Sequence, residues 1–201
     1  MYSPSKQNID EFHKHQEILL PHTRKYIGRT NLDIGCGNGL TSIIHQRELG
    51  ISPTLCDIAD IRDETARSLP FYLLNKGTIP INSGSFESSY LQYVLHHLPS
   101  PTQVGDLLAE AARVSDRVII VEEIRGSKTD VARAKIFDQE VNDKIHQGVS
   151  MPVYNYYSAT EVLEFFKELG SKVVFHHVIS EGSEENGFLE TRVFVTERPA
   201  C

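Results

Sequence analysis

Long apolar runs are missing from this sequence. The longest, such as Val118-Ile119-Ile120-Val121, are a handful of residues, far short of the roughly 20 that span a bilayer. The opening residues carry no apolar leader segment, so the expectation is a cytoplasmic chain with no membrane partner. Clustered cations are missing too. Lys and Arg number 20 against 27 Asp and Glu, a formal charge of −7. Affinity for a phosphate backbone comes mainly from grouped Lys and Arg, so no nucleic-acid partner is expected. Cysteine is scarce: Cys36, Cys56 and Cys201 make neither a CxxC pair nor an even framework, which excludes a disulfide scaffold. No repeat, low-complexity stretch or Pro/Gly linker divides the chain. What remains is 201 residues, 40% of them apolar, enough to bury one core unaided.

Periodicity then orders the elements. Phe12, Gln16, Leu19 and Leu20 recur at helical spacing, and Pro21 is expected to restart a short helix reaching Ile27. A strand over 31–34 leads into a glycine cluster and a helix that stops at Gly50. Further strands are expected at 53–58, 71–74, 86–93 and 118–122, with only one or two helical turns between the second and third. The β-branched run at 118–122 reads as a strand buried on both faces. A helix over 130–146, apolar at Ala134, Phe137 and Val141, precedes a tyrosine-rich loop holding Tyr154, Tyr156 and Tyr157. Ser158 and Glu161 have capping-box spacing, and Gly170 is placed to end that helix. Two closing strands, 172–179 and 188–196, are joined by a polar turn and must pair antiparallel. Strands alternating with helices require parallel βαβ units. The expected fold is therefore α/β: a Rossmann-like, doubly wound, mostly parallel seven-stranded sheet with a C-terminal antiparallel strand, in a single domain over 1–201.

The glycine cluster LDIGCGNG (32–39) sits where a strand ends and a helix begins. Glycines let backbone approach a ligand closely, and the helix start offers free N–H groups. Asp33, two residues before the first glycine, would repel a pyrophosphate but attract a cationic amino group. Asp57, at the end of the second strand and about 20 residues beyond Gly35, is placed to accept both hydroxyls of a ribose. One acid for an ammonium and one for a ribose describe a nucleoside bearing an amino acid, which is S-adenosylmethionine.

On these residues the chain resembles the class I S-adenosylmethionine-dependent methyltransferases, in particular the type 11 small-molecule group. The likeness runs from LDIGCGNG through LCDIAD (55–60), SGSFESSYLQYVLHHLPSP (83–101) and LLAEAARVSDRVIIVEE (107–123) to the closing hairpin. The resemblance implies that Asp33, Gly35, Gly37 and Gly39 line the methionine end of the cofactor. Cys36 stands within that loop, its thiol read as packing. Asp57 would take the ribose, Ile58 the adenine face and Asn75 an adenine edge. An Asp is common where this chain has Asn75-Lys76. Gln92 and Tyr93 would stand near the sulfonium, and S-adenosylhomocysteine would be the product. The helical segment 1–28, with His13 and His15, would be a lid, and the inserted 126–157 a cap over the acceptor.

Methyl transfer from a sulfonium is an in-line displacement, for which alignment supplies much of the acceleration. A base helps when the acceptor is a hydroxyl or a protonated amine. Candidates are His96 and His97 after the fourth strand and Glu122, with Glu123, at the end of the fifth. In the resembled fold those strands are neighbours, so a His can face a Glu. Histidine spacing gives no metal site: His13 and His15 do not share a helical face, and His176 and His177 point opposite ways on a strand. The expected partner is a small-molecule methyl acceptor. The alternative is a catalytically silent cofactor-binding or interaction protein of the same fold.

Overall fold

In the computed structural model, residues 6–75, 77–146 and 151–198 are described. Lys76, Cys201, residues 1–5 of the expected lid and 147–150 of the expected cap lie outside them. Helix α1 (Lys6–Thr23) is followed by β1 (Thr30–Ile34), α2 (Leu40–Leu49), β2 (Ser52–Asp57), β3 (Phe71–Leu73) and β4 (Ser88–Gln92). Then come α3 (Pro101–Val114), β5 (Arg117–Ile124), α4 (Val131–His146), α5 (Ala159–Glu168), β6 (Lys172–Ser180) and β7 (Glu190–Glu197). Single 3₁₀ turns, Glu64–Ser68 and Leu95–His97, follow β2 and β4.

The seven strands form one sheet in the order β3-β2-β1-β4-β5-β7-β6. The first five in that order are parallel, and β7 runs antiparallel between β5 and β6. Both faces are covered. Leu32, Ile34, Leu91 and Ile120 pack with Val104, Leu108 and Phe166 of α3 and α5 on one side. Tyr90, Ile119 and Val121 pack with Leu19 of α1 on the other. That double coverage explains why 118–121 is apolar at every position. The chain order reverses between β1 and β4, and such a switch point opens a crevice at the carboxyl ends of the strands. Register fixes what lines it: Ile34 pairs with Cys56 on one side and Leu91 on the other. The next residues along, Gly35, Asp57 and Gln92, therefore share one edge.

Several boundaries differ from expectation, three of them with a physical reason or consequence. Pro21 does not restart α1; it lies exposed inside the last turn, where it forfeits one backbone bond and nothing depends on the helix continuing. Strand β4 is shorter than 86–93, because Phe86 makes only an isolated bridge to Ser115 and Tyr93 turns to φ 56°. Strand β3 is an edge strand of three residues. Cys36 and Cys56 are buried free thiols. Among the described residues no helix is long and apolar enough to cross a membrane.

Helix α5 is bounded as the spacing predicts. Ser158 accepts from the Glu161 N–H, and the Glu161 carboxylate accepts from the Ser158 N–H at 2.7 Å. At the other end Gly170 at φ 67° and the Ser171 N–H bonded to the Phe166 carbonyl close the last turn. Ser158→Ala is expected to lower stability by about 1 kcal/mol, read as a lower urea midpoint with an unchanged denaturant slope.

Candidate active site

The glycine loop is built by backbone constraint. Gly35, Gly37 and Gly39 have φ of 71°, 54° and 77°, a region costly to residues with a Cβ. At Gly35 a Cβ would also lie 2.7 Å from Val94, and at Gly39 2.7 Å from Ala66. The Cys56 carbonyl accepts from both the Gly35 and Cys36 N–H groups, tying the loop to β2. The Cys36 side chain packs with Leu55, Ala66 and Leu69, and burial pushes its thiol well up, so it is inert.

Two carboxylates flank this loop. Asp33 is 3% exposed and accepts from the Ser42 hydroxyl at 2.7 Å. Burial raises its pKa to about 7; the Ser42 bond opposes the shift and the charge of Asp57 adds to it. Among the described residues no cation pairs with it. Asp57 accepts from the Gly37 N–H at 2.8 Å through one oxygen and from the Ile58 N–H at 2.6 Å through the other. Its pKa is also raised by burial, against those backbone bonds. Ile58 and Leu73 beside it stand 61% and 58% exposed. Asn75 is exposed in the turn after β3 and bridges Thr78.

At the end of β4, Gln92 accepts from the Tyr90 hydroxyl and from Gln16 Nε2 of α1, both at 3.1 Å. Tyr93, left-handed at φ 56°, places its hydroxyl 2.8 Å from His15 Nε2 of α1. A bulky residue held there marks a strained, over-determined position. Gln16 is buried, and among the described residues its Oε1 has no partner. Sequence reasoning used Gln16 only as a mark of helical periodicity. A buried polar residue on an otherwise apolar stripe was the available signal.

Beyond β4, the Glu122 carboxylate is fully buried and receives three donors. These are His96 Nδ1 at 2.6 Å, the Leu95 N–H at 2.7 Å and the Glu123 N–H at 2.9 Å. His96 is 1% exposed. Burial disfavours its charged form, but Glu122 and Asp138 outweigh that and raise it to about 10. The neighbouring His97 is held down near 4 by burial and then by the charge of His96. Its Nδ1 faces the Pro152 carbonyl at 3.2 Å. Glu123 is raised to about 7, first by burial. Tyr156 of the inserted loop is buried against His96 and donates to the Ala134 carbonyl of α4, whereas Tyr154 is exposed. Asp138 of α4 reaches His96 Nε2 at 3.4 Å. It was absent from the sequence candidates because only the fold brings α4 over β4.

Residues 32–117 match the family model of a methyltransferase domain. A curated relative, a tRNA U34 carboxymethyltransferase of Trichlorobacter lovleyi, is 32% identical over 95 residues, which cover 41% of this chain and 28% of the relative. Among solved structures, a SAM-dependent methyltransferase of Methanosarcina mazei aligns at a TM-score of 0.69 and 16% identity, over 89% of this chain and 97% of that one. A geranyl diphosphate C-methyltransferase of Streptomyces coelicolor A3(2), solved with Mg²⁺, geranyl diphosphate and S-adenosyl-L-homocysteine, aligns at 0.67 and 15%, over 96% of this chain and 84% of that one. At these identities the two structures share the fold.

Proposed function

We propose that this chain, a member of the class I S-adenosylmethionine-dependent methyltransferases, holds its cofactor across the carboxyl ends of β1, β2 and β4 and methylates a small-molecule acceptor seated beyond β4 and β5. One observation carries the cofactor's position: Asp33, the left-handed glycine loop, Asp57 and an exposed Ile58 share a single sheet edge. The residues present fit an amino-acid nucleoside. Among the described residues Asp33 is a buried carboxyl without a cation, suited to an ammonium, and Gln16 Oε1 is an acceptor without a donor on the adjoining helix. Asp57 suits the ribose hydroxyls, with Ile58 and Leu73 offering apolar surface to a base and Asn75 a polar edge. Gln92 and Tyr93 stand at the methionine end, bridged to α1.

When bound, S-adenosylmethionine supplies a methyl group already activated by its sulfonium. The protein's share is alignment and exclusion of water. His15 and Gln16 anchor α1 over the end of β4, which supports reading it as a lid. The Tyr154 and Asn155 N–H groups both bond the His96 carbonyl, which fastens the inserted segment over the acceptor end. His96, with Nδ1 on Glu122 and its ring sealed from solvent, is a positioning group rather than a free base. The charge of −7 supports a small molecule over an RNA acceptor, and the tRNA-modifying relative shares only 28% of its length with this chain.

Calorimetric titration with S-adenosylmethionine and S-adenosylhomocysteine tests the cofactor: folded protein giving no heat with either overturns it. Turnover is then sought with labelled donor over small-molecule acceptors and bulk tRNA. Label in tRNA alone overturns the small-molecule reading, and binding without any transfer favours the silent alternative. Asp57→Ala is expected to weaken cofactor binding by about 1–3 kcal/mol through lost charge-assisted hydrogen bonds. An unchanged dissociation constant would remove Asp57 from the ribose site.

A further inference from the structure

The side chains at the acceptor end share a pattern that alignment alone does not require. His96 gives Nδ1 to Glu122, so Nε2 is the nitrogen left to ligate, a metal ion there taking the place of its proton. That nitrogen is buried and, among the described residues, meets only Asp138 Oδ1, at the long distance of 3.4 Å. His97 gives Nδ1 to the Pro152 carbonyl, which can only accept, so its Nε2 keeps a lone pair. Asp138 accepts from Asn142 Nδ2 at 2.8 Å through Oδ2, leaving Oδ1 for another partner. Each of the three residues is thus held from behind through one atom. Donor atoms of His96, His97 and Asp138 lie within 4.8 Å of one another.

We infer that His96, His97 and Asp138 form a binding site for a divalent transition-metal ion at the acceptor end of the sheet. The spacing favours a shared ion over a direct bond. A charge-assisted N–H···O bond closes to about 2.7–2.9 Å, and the His96–Asp138 pair is well beyond that. Two ligands bound to one tetrahedral ion at about 2.0–2.1 Å stand about 3.3–3.4 Å apart, which is the separation of the His96–Asp138 pair; the His97 donor lies within 4.8 Å of both and closes on the ion. The supports match those of metal-ligating residues, whose imidazoles give their second nitrogen to a carboxylate or a backbone carbonyl. Two imidazoles and one carboxylate suit Zn²⁺, Fe²⁺, Co²⁺, Ni²⁺ or Mn²⁺ rather than Ca²⁺ or Mg²⁺. Three protein ligands leave a coordination position open. On the function proposed above, an acceptor bearing an oxygen or nitrogen donor would fill it; the metal site itself does not depend on that reading.

The test uses the full chain, freed of metal with a chelator and dialysed. Zn²⁺ is titrated calorimetrically, and Co²⁺ is followed by its ligand-field absorption. One ion per chain is expected, with visible Co²⁺ bands of low-symmetry N/O coordination. Asp138→Asn and His97→Ala should each weaken binding about tenfold or more, and Glu122→Gln, acting through His96, by about 10–100-fold. His13→Ala, on α1, should leave it unchanged. Absence of binding, or equal affinity in wild type and Asp138→Asn while both remain folded by circular dichroism, overturns the site. Cofactor titration of the same metal-free sample reads the other proposal separately, so the two can fail independently.

Discussion

Asp33→Asn is expected to stabilise the cofactor-free protein at neutral pH while removing most of its affinity for S-adenosylmethionine. Asp33 is buried and, among the described residues, has only the Ser42 hydroxyl as a polar side-chain partner, and burial raises its pKa to about 7. An unfolded Asp titrates near 4, so between about pH 4 and 7 the folded state holds a proton that the unfolded state has released. The stability this group lends is complete below about pH 4 and is lost as pH rises through about 7. At about 1.4 kcal/mol per unit the full shift is worth up to about 4 kcal/mol. Asn can still accept from Ser42 without carrying a charge into the interior. Melting curves of the two proteins should nearly coincide at pH 4 and separate progressively up to pH 7.5, with the variant the more stable. Equal melting temperatures throughout that range would show that burial of Asp33 carries no penalty.

Cofactor binding reverses the balance. A cationic ammonium against Asp33 favours the ionised carboxyl, so affinity should climb between about pH 5.5 and 7. Binding below pH 7 should release a proton, seen as a dependence of the measured heat on the buffer's ionisation enthalpy. Removing one member of a buried charge pair costs about 2–5 kcal/mol of binding. Retained affinity in Asp33→Asn would deny the ammonium contact, whatever the melting curves show. The destabilised carboxyl and the ligand's charge are two sides of one device: the empty site stores a cost that the cofactor relieves.

These two acids were legible in the sequence because each belongs to a short local pattern, a strand end followed by a glycine turn or a strand end alone. The mostly parallel sheet closed by an antiparallel strand was legible for a related reason, since alternation and a missing crossover leave few topologies. The pairing of a histidine with a glutamate came from the resemblance, which makes the fourth and fifth strands neighbours. Which histidine did not, because Leu95–His97 is a 3₁₀ turn, whose tight rotation sends one ring inward to Glu122 and leaves the other beside Pro152. Gln16 and Asp138 were not legible as site residues. They lie on helices that reach the strand ends only through tertiary packing, and helical spacing identifies a buried face without saying what that face meets. Pro21 misled for the opposite reason: a local rule about helix breaking is weak where the helix is about to end.

The largest loss of stability is expected from Glu122→Ala. The residue stands in β5 between Ile120 and Ile124, on the face packed against α3 and α5, where an apolar side chain would be the ordinary choice. Its carboxylate instead satisfies three buried donors, from His96, Leu95 and Glu123. Truncation leaves all three without an acceptor and opens a cavity. Breaking a buried, hydrogen-bonded ionic group of this kind costs about 3–5 kcal/mol, which for a chain of this size lowers the melting temperature by roughly 6–20 °C. Glu122→Gln retains volume and one acceptor oxygen but turns an N–H₂ toward a donor, so an intermediate loss is expected. Urea unfolding of both variants checks the order. An alanine variant within about 1 kcal/mol of the parent would mean that relaxation or water replaces the carboxylate, and that the His96–Leu95 turn does not depend on it. If instead Gln keeps most of the stability yet loses metal affinity, Glu122 acts on His96 beyond filling space. A purely architectural carboxylate would lose both in proportion. That separation makes the strand-end glutamate informative: its burial makes it costly, and only its partners explain why an apolar residue does not stand there.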